Sequence, residues 1–348
     1  MKYQNYLQWL SGETKTEWWN DSGNLEDLDK AMNNGAVGVT TNPVLCAAAL
    51  DKYPGEWAED IKKILVSQGN SAEKIEDLIG VVVKASAKKV FPVFEKSGGK
   101  TGYVCAQVNP SLAGNREAML NMARKFSSFA PNISVKLPVT AAGLDVLEEC
   151  AALGIHTTGT VSFTLPQMLA IADRHEAGTK RALASGIKPA TCVAVIMIGR
   201  IDDYLREVVD DNKLKVSEDA ITKAGLAILK RANSLFIQRK YKAKICVAAL
   251  RGTYHATEIA GADLILSIHP KYQTPLLEGN LAYEERIDVP VDSRYLEELK
   301  RIPEFIKAYE PEGMKPEDFI TYGVTQKTLS QFTEAGWNEL GRILKRLS

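Results

Sequence analysis

The chain has 348 residues, of which 45% are hydrophobic and 25% are charged, a composition that can bury a large core. Its 43 basic and 43 acidic residues cancel, which argues against a nucleic-acid-binding or membrane-surface protein. No apolar run reaches the roughly 18 residues of a membrane span, and residues 1–15 lack the apolar core of a signal peptide. The five cysteines form no Cys-x-x-Cys pair, which favours buried thiols in a cytoplasmic protein.

Strand-like and helical segments alternate after a short predicted helix at 3–10. The predicted strands are 16–22, 36–41, 103–108, 133–138, 156–162, 190–197, 244–249 and 263–268. The helices predicted between them are 25–33, 115–129, 141–153, 165–175, 220–238 and 255–260, with two more within 52–100. Such alternation is typical of βαβ units and a parallel sheet. Eight units close naturally into a (β/α)8 TIM barrel, and an open doubly wound sheet is the alternative.

The strand pattern stops at about residue 271. Two amphipathic helices are predicted beyond it, at 294–309 and 326–347, joined by a connection rich in proline and glycine. We therefore predict a barrel over residues 1–270 and a C-terminal helical extension over residues 271–348 that packs on the barrel.

Motifs of several other enzyme classes are missing or misplaced. Residues 96–102 (KSGGKTG) resemble a phosphate-binding loop, but Phe94 stands where that motif needs glycine, and the segment precedes a strand. The four histidines lack the spacing of a metal site. No Gly-x-Ser-x-Gly motif is present, and no Gly-x-Gly-x-x-Gly motif follows the first strand. We therefore expect no protein-bound metal, and hydrolases and dinucleotide enzymes are disfavoured.

Lys136 lies inside the apolar segment 133–138 (ISVKLP), which is predicted to be a buried strand. Burial of an ammonium group costs several kcal/mol unless the group is paired. A lysine that stays partly neutral is a nucleophile for carbonyl groups, which is the starting condition of Schiff-base chemistry. The alternative is a strand-end lysine whose ammonium group reaches solvent.

Polar residues also stand where the other predicted strands end, which is where active sites form in (β/α)8 barrels. In chain order, these candidates are Asp21, Asn42, Gln107, Lys136, Thr160, Arg200 and Arg251. Each has an ordinary structural alternative as a helix cap, a turn residue or a surface charge. Together, a lysine, a carboxylate, a water-holding pair and two arginines fit imine chemistry on a phosphorylated sugar.

Several segments resemble those of a known family. Residues 38–43 (GVTTNP) resemble the Thr-Ser/Thr-Asn-Pro signature of the transaldolase family. Residues 135–140 (VKLPVT) and 154–160 (GIHTTGT) resemble its Schiff-base lysine segment and the next strand, and residues 198–202 (IGRID) resemble its Gly-Arg-Ile element. The resemblance extends over about residues 18–270, and the C-terminal helices are similar to those of the longer transaldolases.

The resemblance implies roles for the residues at the reacting carbons. Lys136 would form an imine with the carbonyl group of a ketose. Asp21 would be the general acid/base that takes the proton of the C4 hydroxyl group as the C3–C4 bond breaks. Asn42 would hold the hydroxyl groups of the dihydroxyacetone unit.

The same resemblance implies roles for the remaining candidates. Gln107 and Thr160 would hold the water molecule that relays protons to the imine. Arg200 and Arg251 would bind the distant phosphate group of the substrate as bidentate donors.

Four positions depart from the family pattern. Gln107 stands where transaldolases usually have glutamate, and glutamine there is similar to the fructose-6-phosphate aldolase branch. Ala249 and Val195 replace two common serines, and Met197 replaces an aromatic residue. These changes concern the phosphate pocket, the acceptor and the balance between transfer and hydrolysis.

The resemblance therefore implies a transaldolase that transfers a dihydroxyacetone unit from a ketose or ketose phosphate to an aldose or aldose phosphate. Aldolase-like release of dihydroxyacetone, a non-catalytic sugar-phosphate-binding barrel, and another barrel enzyme such as an isomerase are the alternatives. Neither a metal nor an organic cofactor is expected, because the imine itself stabilises the carbanion. The expected partners are sugar phosphates, without nucleic acid or membrane, and the expected location is the cytoplasm. A homo-oligomer is possible, but the sequence does not give the oligomeric state.

Overall fold

Eight parallel strands form a closed barrel in sequential order, and the last strand pairs with the first. The computed structural model describes residues 3–347, so the outer bounds of the predicted barrel and extension, residues 1 and 348, lie outside the described residues. The strands are β1 (Glu17–Asp21), β2 (Val39–Thr40), β3 (Val104–Gln107), β4 (Ile133–Pro138), β5 (Thr157–Thr160), β6 (Cys192–Met197), β7 (Lys244–Ala248) and β8 (Ile265–Ile268). The predicted (β/α)8 TIM barrel is confirmed, and the alternative of an open sheet is wrong.

Helices surround the barrel and continue beyond its last strand. Those up to β8 are α1 (Tyr6–Glu13), α2 (Leu25–Asn33), α3 (Pro43–Lys52), α4 (Pro54–Val66), α5 (Ser71–Lys96), α6 (Arg116–Ser127), α7 (Ala141–Ala152), α8 (Leu165–Ala184), α9 (Ile198–Asn212), α10 (Glu218–Ile221), α11 (Ala224–Arg239) and α12 (Tyr254–Thr257). Those after β8 are α13 (Pro270–Glu278), α14 (Ser293–Leu299), α15 (Pro303–Tyr309), α16 (Pro316–Phe319), α17 (Gly323–Phe332) and α18 (Asn338–Leu347). A 3₁₀ turn (Pro110–Leu112) follows β3, and a π-helical turn (Thr333–Trp337) joins α17 to α18. Among residues 3–347, no helix has both the length and the apolar composition that a membrane span requires.

Capping residues start the helices directly after the strands. The side chains of Asn42, Thr140 and Thr164 each accept a backbone N–H group from the third residue that follows. These caps lie at the C-terminal ends of β2, β4 and β5, so each chain segment turns sharply outward there. The strand ends are thereby left facing a common opening.

Hydrogen-bonded side chains occupy the interior of the barrel below this opening. The hydroxyl oxygens of Ser134 and Thr158 are 2.7 Å apart, and Cys105 Sγ lies 3.5 Å from the Thr158 hydroxyl oxygen. All three side chains are buried. The barrel is therefore a packed core on which the residues of the mouth rest.

Several element boundaries differ from the sequence prediction. The predicted helix 294–309 is two helices, because Pro303 lacks a backbone N–H group and begins a new helix. The predicted helix 220–238 is likewise divided into α10 and α11. The helix α9, which carries Arg200, was not predicted, because its apolar residues continue directly from those of β6.

The C-terminal extension packs on the barrel at several places. Helix α15 packs against α8 and α11, α17 packs against α9, and α18 packs against α3 and α5. The π-helical turn lies against the start of α3, and a Cβ atom at Gly336 would come within 2.7 Å of Pro43 Cβ and 2.8 Å of Val44 N. This contact needs glycine, because the backbone of α3 cannot move away without displacing Asn42.

Replacement of Gly336 by alanine is expected to destabilise the protein by about 1–3 kcal/mol, because the added methyl group overlaps backbone atoms. Gly341→Ala in α18 is the matched control, since its nearest heavy atom would be Ile75 Cδ1 at 3.4 Å. Alanine favours the helix there, so the control is expected to unfold at the wild-type temperature or slightly above it. Thermal unfolding of the two variants checks this, and equal melting temperatures would contradict the packing argument.

Candidate active site

A cavity of about 280 Å³ opens at the C-terminal mouth of the barrel. All the predicted site residues except Gln107 line it, namely Asp21, Asn42, Lys136, Thr160, Arg200 and Arg251. Gln107 lies next to them on β3, where it is paired in register with Lys136. The strand ends therefore bring into one space polar groups that are far apart in the sequence.

Lys136 is only 6% exposed, so its side chain does not extend to solvent. Within residues 3–347, the hydrogen-bond partner of its Nζ atom is the Thr41 carbonyl oxygen, 3.1 Å away. This partner is neutral, so the amino group is buried without a carboxylate in contact. Such a group suits attack on a carbonyl group better than a permanently ion-paired lysine does.

Buried cysteines surround Lys136 without competing with it as nucleophiles. All five cysteines are buried and free of disulfides. Burial raises the pKa of Cys46 to about 12, although Thr41 and the charge of Lys136 oppose that rise. Because thiolates are the reactive form, these thiols are inert at neutral pH.

A chain of hydroxyl groups orients Asp21. Its Oδ1 atom accepts a hydrogen bond of 2.7 Å from the Thr40 hydroxyl group. Ser267 Oγ lies 2.6 Å from Thr40 Oγ1, and since the proton of Thr40 is given to Asp21, Ser267 must be the donor to Thr40. The cap of α2 is Asn24, which accepts the N–H group of Asp27, so the alternative role of Asp21 as the helix cap is wrong.

Asn42 both caps a helix and lines the cavity. Its Oδ1 atom accepts the backbone N–H group of Leu45 at 3.0 Å and so caps α3. The side chain also lines the cavity. With the oxygen engaged, the amide NH2 group is the part that can donate hydrogen bonds to a substrate hydroxyl group.

Gln107 and Thr160 lie on the strands on either side of β4. Gln107 is 2% exposed and Thr160 is fully buried. Among residues 3–347, neither amide atom of Gln107 nor the Thr160 hydroxyl oxygen has a hydrogen-bond partner. Buried polar atoms are costly without a partner, so this pair is suited to binding a small polar molecule beside Lys136.

Replacement of Gln107 by leucine is expected to have opposite effects on stability and on activity. The free energy of unfolding should rise by about 1 kcal/mol, because a buried amide without a protein partner is removed. Imine formation should slow if Gln107 holds a relay water, as the family resemblance implies, because leucine cannot bind that water. Chemical denaturation and stopped-flow imine formation measure the two effects. Gln107→Glu is the control that keeps hydrogen bonding, and an unchanged imine rate in Gln107→Leu would contradict the assigned role.

Arg200 lies in the first turn of α9, with its guanidinium group supported by the C-terminal extension. Its Nη1 atom donates to Thr328 Oγ1 at 3.5 Å, and the group lies over the Phe332 ring, 5.3 Å from its centre. Burial lowers the pKa of Arg200 to about 10, and the positive charge of Arg251 acts in the same direction. Arg200 therefore remains charged at neutral pH, and among residues 3–347 only its Nη1 atom has a hydrogen-bond acceptor, which leaves its other N–H groups available to an anion.

Arg251 is held more firmly than Arg200. Its Nε and Nη2 atoms donate to Asp203 Oδ2 at 2.8 and 2.6 Å. Its Nη1 atom donates to the carbonyl oxygens of Ala249 and Leu250 at 2.9 and 3.1 Å. The carboxylate of Asp203 thus fixes Arg251 and offsets part of its charge, so bidentate binding of a phosphate by Arg251 would require some of these bonds to change.

Further cavity residues were not found in the sequence analysis. Ser267, His269 and Tyr272 come from β8 and the segment after it, and Gln331 and Phe332 come from α17. His269 follows β8, so the rule that located the other candidates at strand ends would also have located this residue. No sequence signal identified Gln331 and Phe332, because their place depends on how the extension folds back over the barrel.

The described part of the chain, residues 3–347, contains no group of three or more histidine, cysteine or carboxylate side chains arranged to hold a metal ion. The polar groups that line the cavity include an amine, a carboxylate, an imidazole, hydroxyl and amide groups and two guanidinium groups.

Comparison with known proteins identifies the family of this chain. The sequence profile of the family described as Transaldolase/Fructose-6-phosphate aldolase matches residues 18–341. The chain is 31% identical over 237 residues to Transaldolase 1 of Streptomyces avermitilis (64% of this chain, 62% of the relative). It is 32% identical over 240 residues to Transaldolase 1 of Streptomyces coelicolor (65% and 61%), and 26% identical over 333 residues to the transaldolase of a Parafrankia species (90% and 83%). The chain thus spans less than two thirds of the length of the Streptomyces relatives. The family profile, however, covers most of this chain. The chain therefore belongs to the transaldolase/fructose-6-phosphate aldolase family.

Proposed function

We propose that the protein is a transaldolase that moves a dihydroxyacetone unit from a ketose phosphate donor to an aldose phosphate acceptor. The observation that carries this proposal is the buried amino group of Lys136, which shares one cavity with the hydrogen-bonded carboxylate of Asp21. Family membership supports the same reaction.

The reaction begins when Lys136 gives up a proton and its amine attacks the ketose carbonyl group. Loss of water from the carbinolamine, with retention of a proton on nitrogen, gives a protonated imine, and a water molecule bound by Gln107 and Thr160 carries the protons for this step. Asp21 then accepts the proton of the C4 hydroxyl group. The C3–C4 bond breaks, its electron pair enters the enamine on Lys136, and an aldose leaves.

In the second half, the enamine carbon attacks the aldehyde group of the acceptor. Asp21 returns its proton to the new hydroxyl group, and water hydrolyses the imine to release the new ketose. Arg200 and Arg251 hold the phosphate end of each sugar, while the Asn42 amide group donates to the hydroxyl groups of the dihydroxyacetone unit. The position of both arginines on the rim of the cavity supports this assignment.

Release of free dihydroxyacetone is the second candidate reaction. Gln107 favours it, since an amide can hold water but cannot share a proton as a carboxylate does. Met197, which also lines the cavity, has no hydroxyl group to help orient that water. We therefore infer that transfer is the main activity and that release of dihydroxyacetone is a measurable side reaction.

The assay supplies fructose 6-phosphate with and without an aldose phosphate acceptor and follows both sugar products and dihydroxyacetone. Transfer should dominate when the acceptor is present, and slow dihydroxyacetone release should be seen without it. Fast release that is unaffected by the acceptor would identify an aldolase instead. No product in either reaction, together with no borohydride-trapped adduct, would contradict both enzyme assignments.

We also propose that residues 1–270 are the barrel unit and residues 271–348 its extension, and that the two act as one catalytic unit. The contributions of Gln331 and Phe332 to the cavity support this view. We further propose that the enzyme acts in the cytoplasm on sugar phosphates, which the buried thiols and the balanced charge support.

A further inference from the structure

A buried carboxylate–histidine pair lies behind Arg251. Asp202 is in α9, next to the Asp203 that binds the Arg251 side chain, and His255 is in α12. His255 Nε2 lies 3.1 Å from Asp202 Oδ2, and the two side chains are 0% and 1% exposed. The pair is therefore shielded from substrate, and the mechanism above assigns it no role.

The hydrogen bonds of this pair determine its protonation. The backbone N–H group of Arg251 donates to His255 Nδ1 at 3.1 Å, and because a backbone N–H group can only donate, Nδ1 carries no proton. Nε2 must then carry the ring proton and donate it to Asp202 Oδ2. The other oxygen of Asp202 accepts the Gly225 N–H group at 2.8 Å. Both oxygens accept, so Asp202 is a carboxylate that selects this histidine tautomer.

The loop that carries Arg251 needs such support. Ala249 has a φ of 59°, a left-handed conformation that is strained in a residue other than glycine. The loop also lies directly against the first turn of α9, where a Cβ atom at Gly199 would come within 2.2 Å of the Ala249 carbonyl oxygen. A strained loop in this close contact keeps its position only if its backbone groups are held.

Arg251 is therefore attached to α9 twice. Asp203 holds its guanidinium group, and Asp202, through His255, holds its backbone. Since α9 also carries Arg200, one helix sets the distance between the two arginines. We propose that Asp202 and His255 are positioning residues that tune the affinity for the phosphate end of the substrate without touching it. This inference rests on the proposed binding of a sugar phosphate.

Two histidine substitutions separate positioning from a purely structural role. In His255→Asn, the side-chain oxygen occupies the place of Nδ1 and still accepts from the Arg251 backbone, but Asp202 loses its donor. In His255→Gln, the amide reaches the place of Nε2 and satisfies Asp202, but Arg251 loses its acceptor. Asp202→Asn is a third variant. Gly225 still donates to its side-chain oxygen, so its NH2 group faces His255 Nε2 and donates to it. The ring proton of His255 then moves to Nδ1, which can no longer accept from the Arg251 backbone. His175→Gln, at a buried histidine of α8 away from the cavity, is the control.

If Asp202 and His255 position Arg251, the two His255 variants should rank in opposite order for substrate affinity and for stability. His255→Gln and Asp202→Asn should raise the KM for fructose 6-phosphate about threefold to tenfold, with kcat nearly unchanged. His255→Asn should keep a KM near that of the wild type but unfold more easily, because it leaves a buried carboxylate short of a donor. Borohydride trapping with dihydroxyacetone, which has no phosphate group, should be unchanged in every variant.

Equal KM values in His255→Asn and His255→Gln, or an equal loss for phosphorylated and unphosphorylated substrates, would overturn the proposal. If the wild-type protein neither transfers nor traps a donor, the proposed function has failed, and calorimetric binding of inorganic phosphate by the same variants still tests the positioning. Nitrogen NMR of the wild-type histidines gives a readout that needs no variant. A protonated Nδ1 in His255 would contradict the assigned tautomer.

Discussion

Replacement of Lys136 by arginine is expected to abolish both imine formation and turnover. A guanidinium group stays protonated at any accessible pH and cannot attack a carbonyl group. Borohydride reduction in the presence of fructose 6-phosphate or dihydroxyacetone, followed by peptide mass spectrometry, should locate the adduct on Lys136 in the wild type and detect none in the variant. The loss should be complete, because no other group in the cavity can replace a primary amine.

Two controls make the Lys136 experiment decisive. Lys136→Met removes the charge at similar length, so it should fold as well as the wild type, since burial of an ammonium group without an ionic partner is unfavourable. It should nevertheless be inactive, which separates chemistry from folding. Lys84→Arg, on α5 beside Phe129 and away from the cavity, should retain activity. An adduct on Lys84, Lys188 or any other lysine would refute the assignment.

Asp21→Ala is expected to form the imine but to cleave the donor about 10²–10⁴-fold more slowly, the usual contribution of a general acid/base. Imine formation needs the amine and the relay water, whereas cleavage needs a base for the C4 hydroxyl group. Trapped adduct measured against the rate of aldose release distinguishes the two steps. The variant should therefore accumulate the donor imine.

Asp21→Asn is the sharper form of the same test. Its amide oxygen can still accept from Thr40, so the Ser267–Thr40 hydrogen bonds are preserved and only the ability to accept a proton is lost. It should be as slow as Asp21→Ala. Asp27→Asn, at a carboxylate that accepts from Ser22 outside the cavity, should cleave at the wild-type rate. Near wild-type cleavage by both Asp21 variants would show that another group moves the proton.

The parts of the site that the sequence predicted share one physical basis. Lys136 and Asp21 sit within strands whose C-terminal ends must converge in a closed parallel barrel, so their proximity follows from the strand pattern alone. The contacts that hold the two arginines of the site could not be predicted from the strand pattern. The contact between Arg251 and Asp203 depends on the path of a loop after β7, and the contact between Arg200 and Phe332 depends on tertiary packing more than a hundred residues away. The π-helical turn was missed for a similar reason, since Gly336 is explained by the helix it touches and not by its neighbours in the chain.

Helix α17 forms one wall of the cavity, and this wall is the last part of the cavity to be synthesised. A ribosome has translated all eight strands by residue 268, but Thr328, Gln331 and Phe332 emerge only after a further sixty residues or so. A nascent or prematurely terminated chain can therefore contain the whole barrel, including Lys136 and Asp21, and still lack the groups that support Arg200. In this chain, the contacts that support Arg200 therefore form only after all eight strands of the barrel have been synthesised.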